Sequence, residues 1–224
     1  MITLHYYPSN ASMAPHIVLE EIGCTYLRVL VDRTQGAHQT PEYLRLNPNG
    51  LIPVLTDSRF GADFVLYETA AIMLHVADTH PAANLAPALG TPERAHFYKW
   101  LVWFTNTLQA ALIVYFYPER WVTAGNASGA QDVKTHAQNK IGSMLGQIDT
   151  QLASHGQDWF LGPHYSALDA YALMLCRWTR GFDPTAGSAP ARSHSHLAQY
   201  LQRMLARPAV QRVMAAEELV PPWV

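Results

Sequence analysis

The chain has 224 residues, 49% of them apolar and 14% charged, with 15 basic against 17 acidic side chains and a net charge of −2. That length suffices for one large domain or two small ones with a proper core, and the near-neutral balance excludes a nucleic-acid footprint in either half. No apolar run approaches the ~18 residues of a membrane span, no basic segment precedes an apolar one at the N-terminus, and Cys24 and Cys176 lack disulfide or redox spacing, so a cytoplasmic protein with two buried thiols is expected.

Ile2 to Tyr7 is a β-type run, and a helix is predicted over Ala14 to Gly23, with the glycine as its stop. Between them lies Ser9-Asn10-Ala11-Ser12. Tyr26 to Val31 alternates like a strand. Asn47 to Leu55, Asn-Pro-Asn-Gly-Leu-Ile-Pro-Val-Leu, reads as a loop that enters a strand through proline, where the missing N–H costs no ladder bond. X-Pro is the one bond where cis is cheap. A cis bond at Ile52-Pro53 would turn the N–H and C=O of Ile52 outward, toward an extended peptide at the sheet edge. Pro53 to Thr56 and Phe64 to Leu66 read as strands joined by a polar turn, and Thr69 to His80 as a helix stopped by Pro81. The resulting order, β-α-β-β-β-α, is that of a thioredoxin-like unit.

Residues 81–91 form a Pro/Gly/Ala linker. The rest is helical in pattern. Val133, Ala137, Ile141, Met144, Ile148 and Leu152 share one helical face, and Leu168, Tyr171, Leu175, Trp178 and Phe182 another. Ser166 to Asp169 is a capping-box-like start, and residues 183–196, rich in Pro, Ser, Ala and Gly, read as a loop.

Chemistry concentrates at Leu66-Tyr67-Glu68-Thr69-Ala70-Ala71-Ile72, which puts an acid and a hydroxyl at the start of an apolar helix. Glu68 can take a ligand ammonium; Thr69 and the free N–H groups of the helix start can take a carboxylate. An acidic first turn also simply favours the helix dipole. Combined with the Ile52-Pro53 loop, the pattern suits a small peptide carrying both charges at one end, and glutathione is such a peptide.

Four stretches, Tyr7-Pro8 through His16-Ile17-Val18-Leu19, Asn47 to Leu55, Glu68 to Ile72, and Ser166-Ala167-Leu168-Asp169-Ala170-Tyr171, occur in an order that resembles the cytosolic glutathione transferases, most nearly their bacterial beta-type branch. The resemblance implies a thioredoxin-like glutathione-binding domain over residues 1–80, the linker, and an all-helical domain over residues 92–224. It implies glutathione as co-substrate with no metal, a detoxifying role, a twofold homodimer, and a cleft between the domains for a small apolar electrophile. That cleft would draw on Trp103, Phe104, Thr107 or Tyr115 from the aromatic run Trp100 to Trp121. Ala11, Leu51, Ile52, Pro53, Glu68 and Thr69 would hold the peptide, with His38 and Gln39 in a loop that in this family reaches its glycine carboxylate.

The chain departs from the beta-type pattern at two places. Ala11 stands where those enzymes carry a cysteine, and Gln109 near where they carry a helix histidine. Serine at both ends of Ser9-Asn10-Ala11-Ser12 excludes dithiol exchange there. What remains for activating the glutathione thiol is Ser12, with the Asn10 amide as second donor, as in the serine-type transferases. A hydroxyl hydrogen bond and a helix start together would lower a thiol of pKa ~8.5 by ~2 units, about 2.7 kcal/mol. Ser12 also fits a plain N-cap of the first helix, and Tyr6 and Tyr7 fit core or surface packing. The alternatives are a non-catalytic glutathione-binding or protein-interaction module on the same fold, or a glutathione-dependent isomerase or ether-cleaving enzyme. No histidine spacing matches a zinc site, and no phosphate loop or nucleophile elbow is present.

Overall fold

In the computed structural model, which describes residues 1–224, the first strand, β1, runs from Ile2 to Tyr6 and buries Ile2 and Leu4 on one face. It is central in a four-stranded sheet of order β2-β1-β3-β4, with β2 at Tyr26–Leu30, β3 at Val54–Asp57 and β4 at Val65–Tyr67. β2 lies parallel to β1; the other pairings are antiparallel. Helix α1, Met13–Ile22, ends at Gly23 in the left-handed conformation (φ 70°) that spares a Cβ clash.

The observed order of this unit is β-α-β-α-β-β-α, one helix more than expected. Helix α2, Pro41–Leu46, begins where the Thr40 side chain accepts the Tyr43 N–H and Pro41 supplies the first helical φ. Six residues are too few to display an amphipathic period, so the pattern did not reveal it. Helix α3, Thr69–Thr79, packs beside α1.

The chain forms two compact units, residues 1–87 with 206–220, and residues 88–205 with 221–224. The first unit thus takes back helix α9, Pro208–Ala216, which packs on α1. Arg207 forks onto both carboxylate oxygens of Glu21 at 2.6 and 2.7 Å, and Arg212 meets Glu20 at 2.5 Å.

In the second unit α4, Pro92–Trp103, continues through a π-helical stretch, Phe104–Gln109, into α5, Ala110–Phe116. It is followed by α6, Ala127–His155, α7, Ala167–Trp178, and α8, Ser195–Leu205. Every residue of α7 from Ala167 to Arg177 is buried, so the expected single apolar face is too narrow: this helix is enclosed on all sides because it is central, with Asp169 and Arg177 buried along with its apolar residues. It stops at Trp178, short of Phe182, and the loop expected to reach residue 196 gives way to α8 at Ser195.

Asp169 completes a capping box with Ser166 and also accepts the Phe160 N–H and the Tyr200 hydroxyl at 2.8 and 2.9 Å. Burial outweighs these bonds and pushes its carboxyl up to about 6. Cys176 is buried, its thiol pushed up to about 12 by desolvation; Cys24 is only half-buried, contrary to expectation, because it follows the exposed turn at Gly23. No helix is long and apolar enough to cross a membrane.

Candidate active site

Three loops of the first unit converge at one end of its sheet. The register that sets Val54 opposite Tyr67 brings Pro53 across from Glu68. The Ile52–Pro53 bond is cis. The preceding carbonyl, that of Leu51, is held by the Tyr43 hydroxyl at 2.8 Å and by Nδ2 of buried Asn47 at 2.9 Å. Neither backbone group of Ile52 is bonded within the chain, so both remain available to a ligand. The Gln39 segment lies directly on this loop: a Cβ at Gly50 (φ 61°) would fall 2.4 Å from Gln39 Nε2.

Glu68 has φ 74° and ψ 117°, a conformation that costs a non-glycine residue ~1–3 kcal/mol. Its side chain is exposed and makes no capping bond, which leaves the carboxylate free and the first N–H groups of α3 open. Thr69 is buried beside it, and its hydroxyl donates to the Ala11 carbonyl at 3.5 Å. That bond joins the start of α3 to the loop between β1 and α1. Ala11 itself presents only a buried methyl group.

Within that loop Asn10 Oδ1 accepts the Ala11 N–H at 2.7 Å, which fixes the side chain and leaves its NH₂ as the free end. Ser12 does not match its expected role. Its side chain is fully enclosed, its hydroxyl donates to the Tyr7 carbonyl at 3.1 Å, and the Tyr7 N–H donates back at 3.2 Å. It makes no capping bond either. The one proton it has to give is therefore spent on the strand end, and it presents no donor to a ligand. Tyr7 packs with Val31, Tyr43 and Ile52, and the Tyr6 ring lies beside His16 under Arg28.

Sequence inspection missed the group that anchors this loop. Glu217, just beyond α9, accepts the Ser9 N–H at 2.9 Å through one oxygen and meets His16 Nδ1 at 2.8 Å through the other. Both side chains are buried, at 1% exposure for His16 and 0% for Glu217. Ser9 itself has φ 59°. The partners are 201 residues apart, and no local pattern signals the pair.

In the helical unit the four expected electrophile-site residues separate. Phe104 is fully buried among Trp100, Phe160 and Tyr171 and belongs to the core. Tyr115 is buried against Phe182 with Lys134 over its ring. The helical period alone does not distinguish such inward aromatics from cleft-lining ones. Trp103 is half-buried, edge-on to Trp100 and Phe104. Only Thr107 lines the pocket of about 640 Å³ that lies between α5 and α6. Gln109 turns elsewhere, its Oε1 accepting from the Tyr171 hydroxyl.

The family models of the glutathione S-transferase N-terminal domain and C-terminal domain match residues 1–78 and 104–208. Glutathione S-transferase GST-4.5 of Xanthomonas campestris is 30% identical over 96% of this chain and 98% of its own. A glutathione transferase homologue from Sulfitobacter, solved with bound glutathione, superposes with a TM-score of 0.83 at 25% identity, covering 98% of this chain and 99% of its own. A beta-class enzyme from Sphingomonas chungbukensis does so with a TM-score of 0.78 at 30% identity, covering 97% and 100%. With both models matched in order and such relatives spanning nearly its full length, the chain belongs to the glutathione S-transferase family.

Proposed function

We propose that the protein binds glutathione in its first unit and activates the thiol for attack on an apolar electrophile. The observation that carries this is the pairing of an open Ile52 backbone with Glu68, an exposed carboxylate held at positive φ beside the open start of α3. The cysteinyl backbone of the peptide pairs with Ile52 as an added strand. Its γ-glutamyl ammonium meets Glu68, its γ-glutamyl carboxylate meets Thr69 and the α3 N–H groups, and Gln39 serves the glycine end. Leu51, Pro53 and Ala11 shape the floor. The Asn10 amide, fixed through its oxygen, donates to the thiolate; Ser12 supports the loop. The thiolate then forms a C–S bond to the electrophilic carbon, the electron pair of the broken bond leaves with the departing group, and the thiol proton goes to solvent. The family and the nearly half-apolar composition support action as a cytoplasmic homodimer in detoxification.

The enclosed Ser12 hydroxyl and the methyl at Ala11 favour a second reading, a glutathione-binding module without turnover. Ultraviolet thiolate absorbance of bound glutathione, titrated over pH, decides between them. A thiolate signal well below the free thiol's ~8.5 supports the transferase; tight binding with an unshifted thiol supports the module.

A further inference from the structure

The pocket between α5 and α6 has two unlike ends. The helices that form it run antiparallel: Lys134 lies 5.1 Å from the Tyr115 ring at one end, and Trp100 shares a groove with Ser143 and Gly146 at the other. Asn106 and Thr107 therefore face Lys140, while Val114 faces Val133. Trp121, 62% exposed in the turn before α6 and stacked on no other ring, joins Val114 and Val133 at the end that these three side chains make apolar, although Asp132 also lines it. Lys140 makes no ion pair. The acid on its own helix face, Asp132, is eight residues back, ~12 Å along the axis, at the apolar end. The polar end thus offers an ammonium and two hydrogen-bonding side chains with no carboxylate beside them, His136 lines the wall one turn from Lys140, and Asp132 repels a second negative charge from the far end. At about 640 Å³ the space suits a small organic molecule.

We propose that this pocket binds an aromatic carboxylate, its ring along Val114, Val133 and Trp121 and its charge at Lys140, Asn106 and Thr107.

The test uses 4-chloro-3-nitrobenzoate and its methyl ester, which differ at the charged end alone. Calorimetric titration of the full chain without glutathione is expected to give about tenfold tighter binding of the acid, the worth of one charge-assisted hydrogen bond. Lys140→Gln is expected to erase that ratio and Lys140→Arg to keep it. Lys134→Gln, on the same helix but outside the pocket, is expected to leave it alone, and Ala110→Trp, which fills the space, to weaken both compounds. Equal binding of acid and ester, no binding of either, or a ratio untouched by Lys140→Gln overturns the proposal.

Discussion

Removing the Glu217 carboxylate is expected to loosen the first unit from inside. In Glu217→Ala, His16 and the Ser9 N–H lose their partner at once, in a place water does not reach. Breaking a buried pair by deleting one member costs about 3–5 kcal/mol, chiefly because the other is left unsatisfied, out of a total stability of ~5–15 kcal/mol. With a urea m-value of ~2–3 kcal/mol/M, the unfolding midpoint should fall by about 1–2.5 M at unchanged m. Glu217→Gln keeps the shape and one acceptor oxygen and should cost about 1–2 kcal/mol. Pairing Glu217→Ala with His16→Ala should show a coupling of at least ~1.5 kcal/mol; a value within ~0.5 kcal/mol would mean that the contact holds nothing, and the reasoning would be refuted. Ser9 directly precedes Asn10, so Glu217→Gln is also expected to return the thiol of bound glutathione part of the way toward its ordinary pKa at temperatures where the variant is fully folded. An unmoved thiol signal would make the clamp purely structural.

Glu68→Ala should weaken glutathione binding by ~1.5–3 kcal/mol, the worth of a hydrogen bond to a charged group, and calorimetry showing no loss would place the ammonium elsewhere. Glu68→Gly should lose the same affinity while raising Tm, since glycine adopts φ 74° freely; a lower Tm would argue against backbone strain at this position. Asn10→Ala should leave glutathione bound but return its thiol toward the ordinary pKa, whereas Ser12→Ala should leave the thiol signal unmoved and instead lower stability by about 1–2 kcal/mol through loss of the Tyr7 bonds. The opposite outcome for the two variants would restore the serine as the thiolate donor. Arg59, hydrogen-bonded to Asp57, holds that carboxyl below its usual range. Its contribution is therefore fully present above the ordinary value of about 4 and is lost as pH falls through the lower folded value. Melting curves for Arg59→Ala should show a lower Tm at neutral pH and a smaller further loss on acidification, and parallel curves for both proteins would contradict the assignment.

What the chain discloses by itself follows from where the information is local. The Ile52-Pro53 loop, the start of α3 at Thr69 and the Ser166–Asp169 box are each defined by a few neighbouring residues, and each could be placed before any coordinates. The α2 helix is too short to carry a period, and α7, buried on all sides, shows in its large apolar residues only one of the faces it buries. Phe104 and Tyr115 looked like cleft residues because an inward aromatic and a ligand-facing one obey the same spacing. Gln39 reaches the peptide loop because Gly50 leaves room for it, a fact about packing. Glu217 could not be found at all, since its partners come together only when α9 returns to α1.

The proposed glutathione site depends little on side-chain identity. Its strand contact is the Ile52 backbone, its carboxylate cradle is the open start of α3, and its ammonium partner is set by an unusual φ at Glu68 as much as by the carboxylate itself. Such a frame survives replacement of the residue that touches sulfur, because no frame hydrogen bond passes through that residue's side chain. Ala11 illustrates this: its carbonyl is bound by Thr69, and its methyl group contributes no polar contact. On the proposed reading peptide binding and thiol activation are separable traits, the second assigned to Asn10, whose amide is oriented by a bond to the next residue. A single substitution at Asn10 should convert an activating site into a merely binding one, while Glu68→Ala should weaken binding and leave activated the thiol of the peptide that still binds.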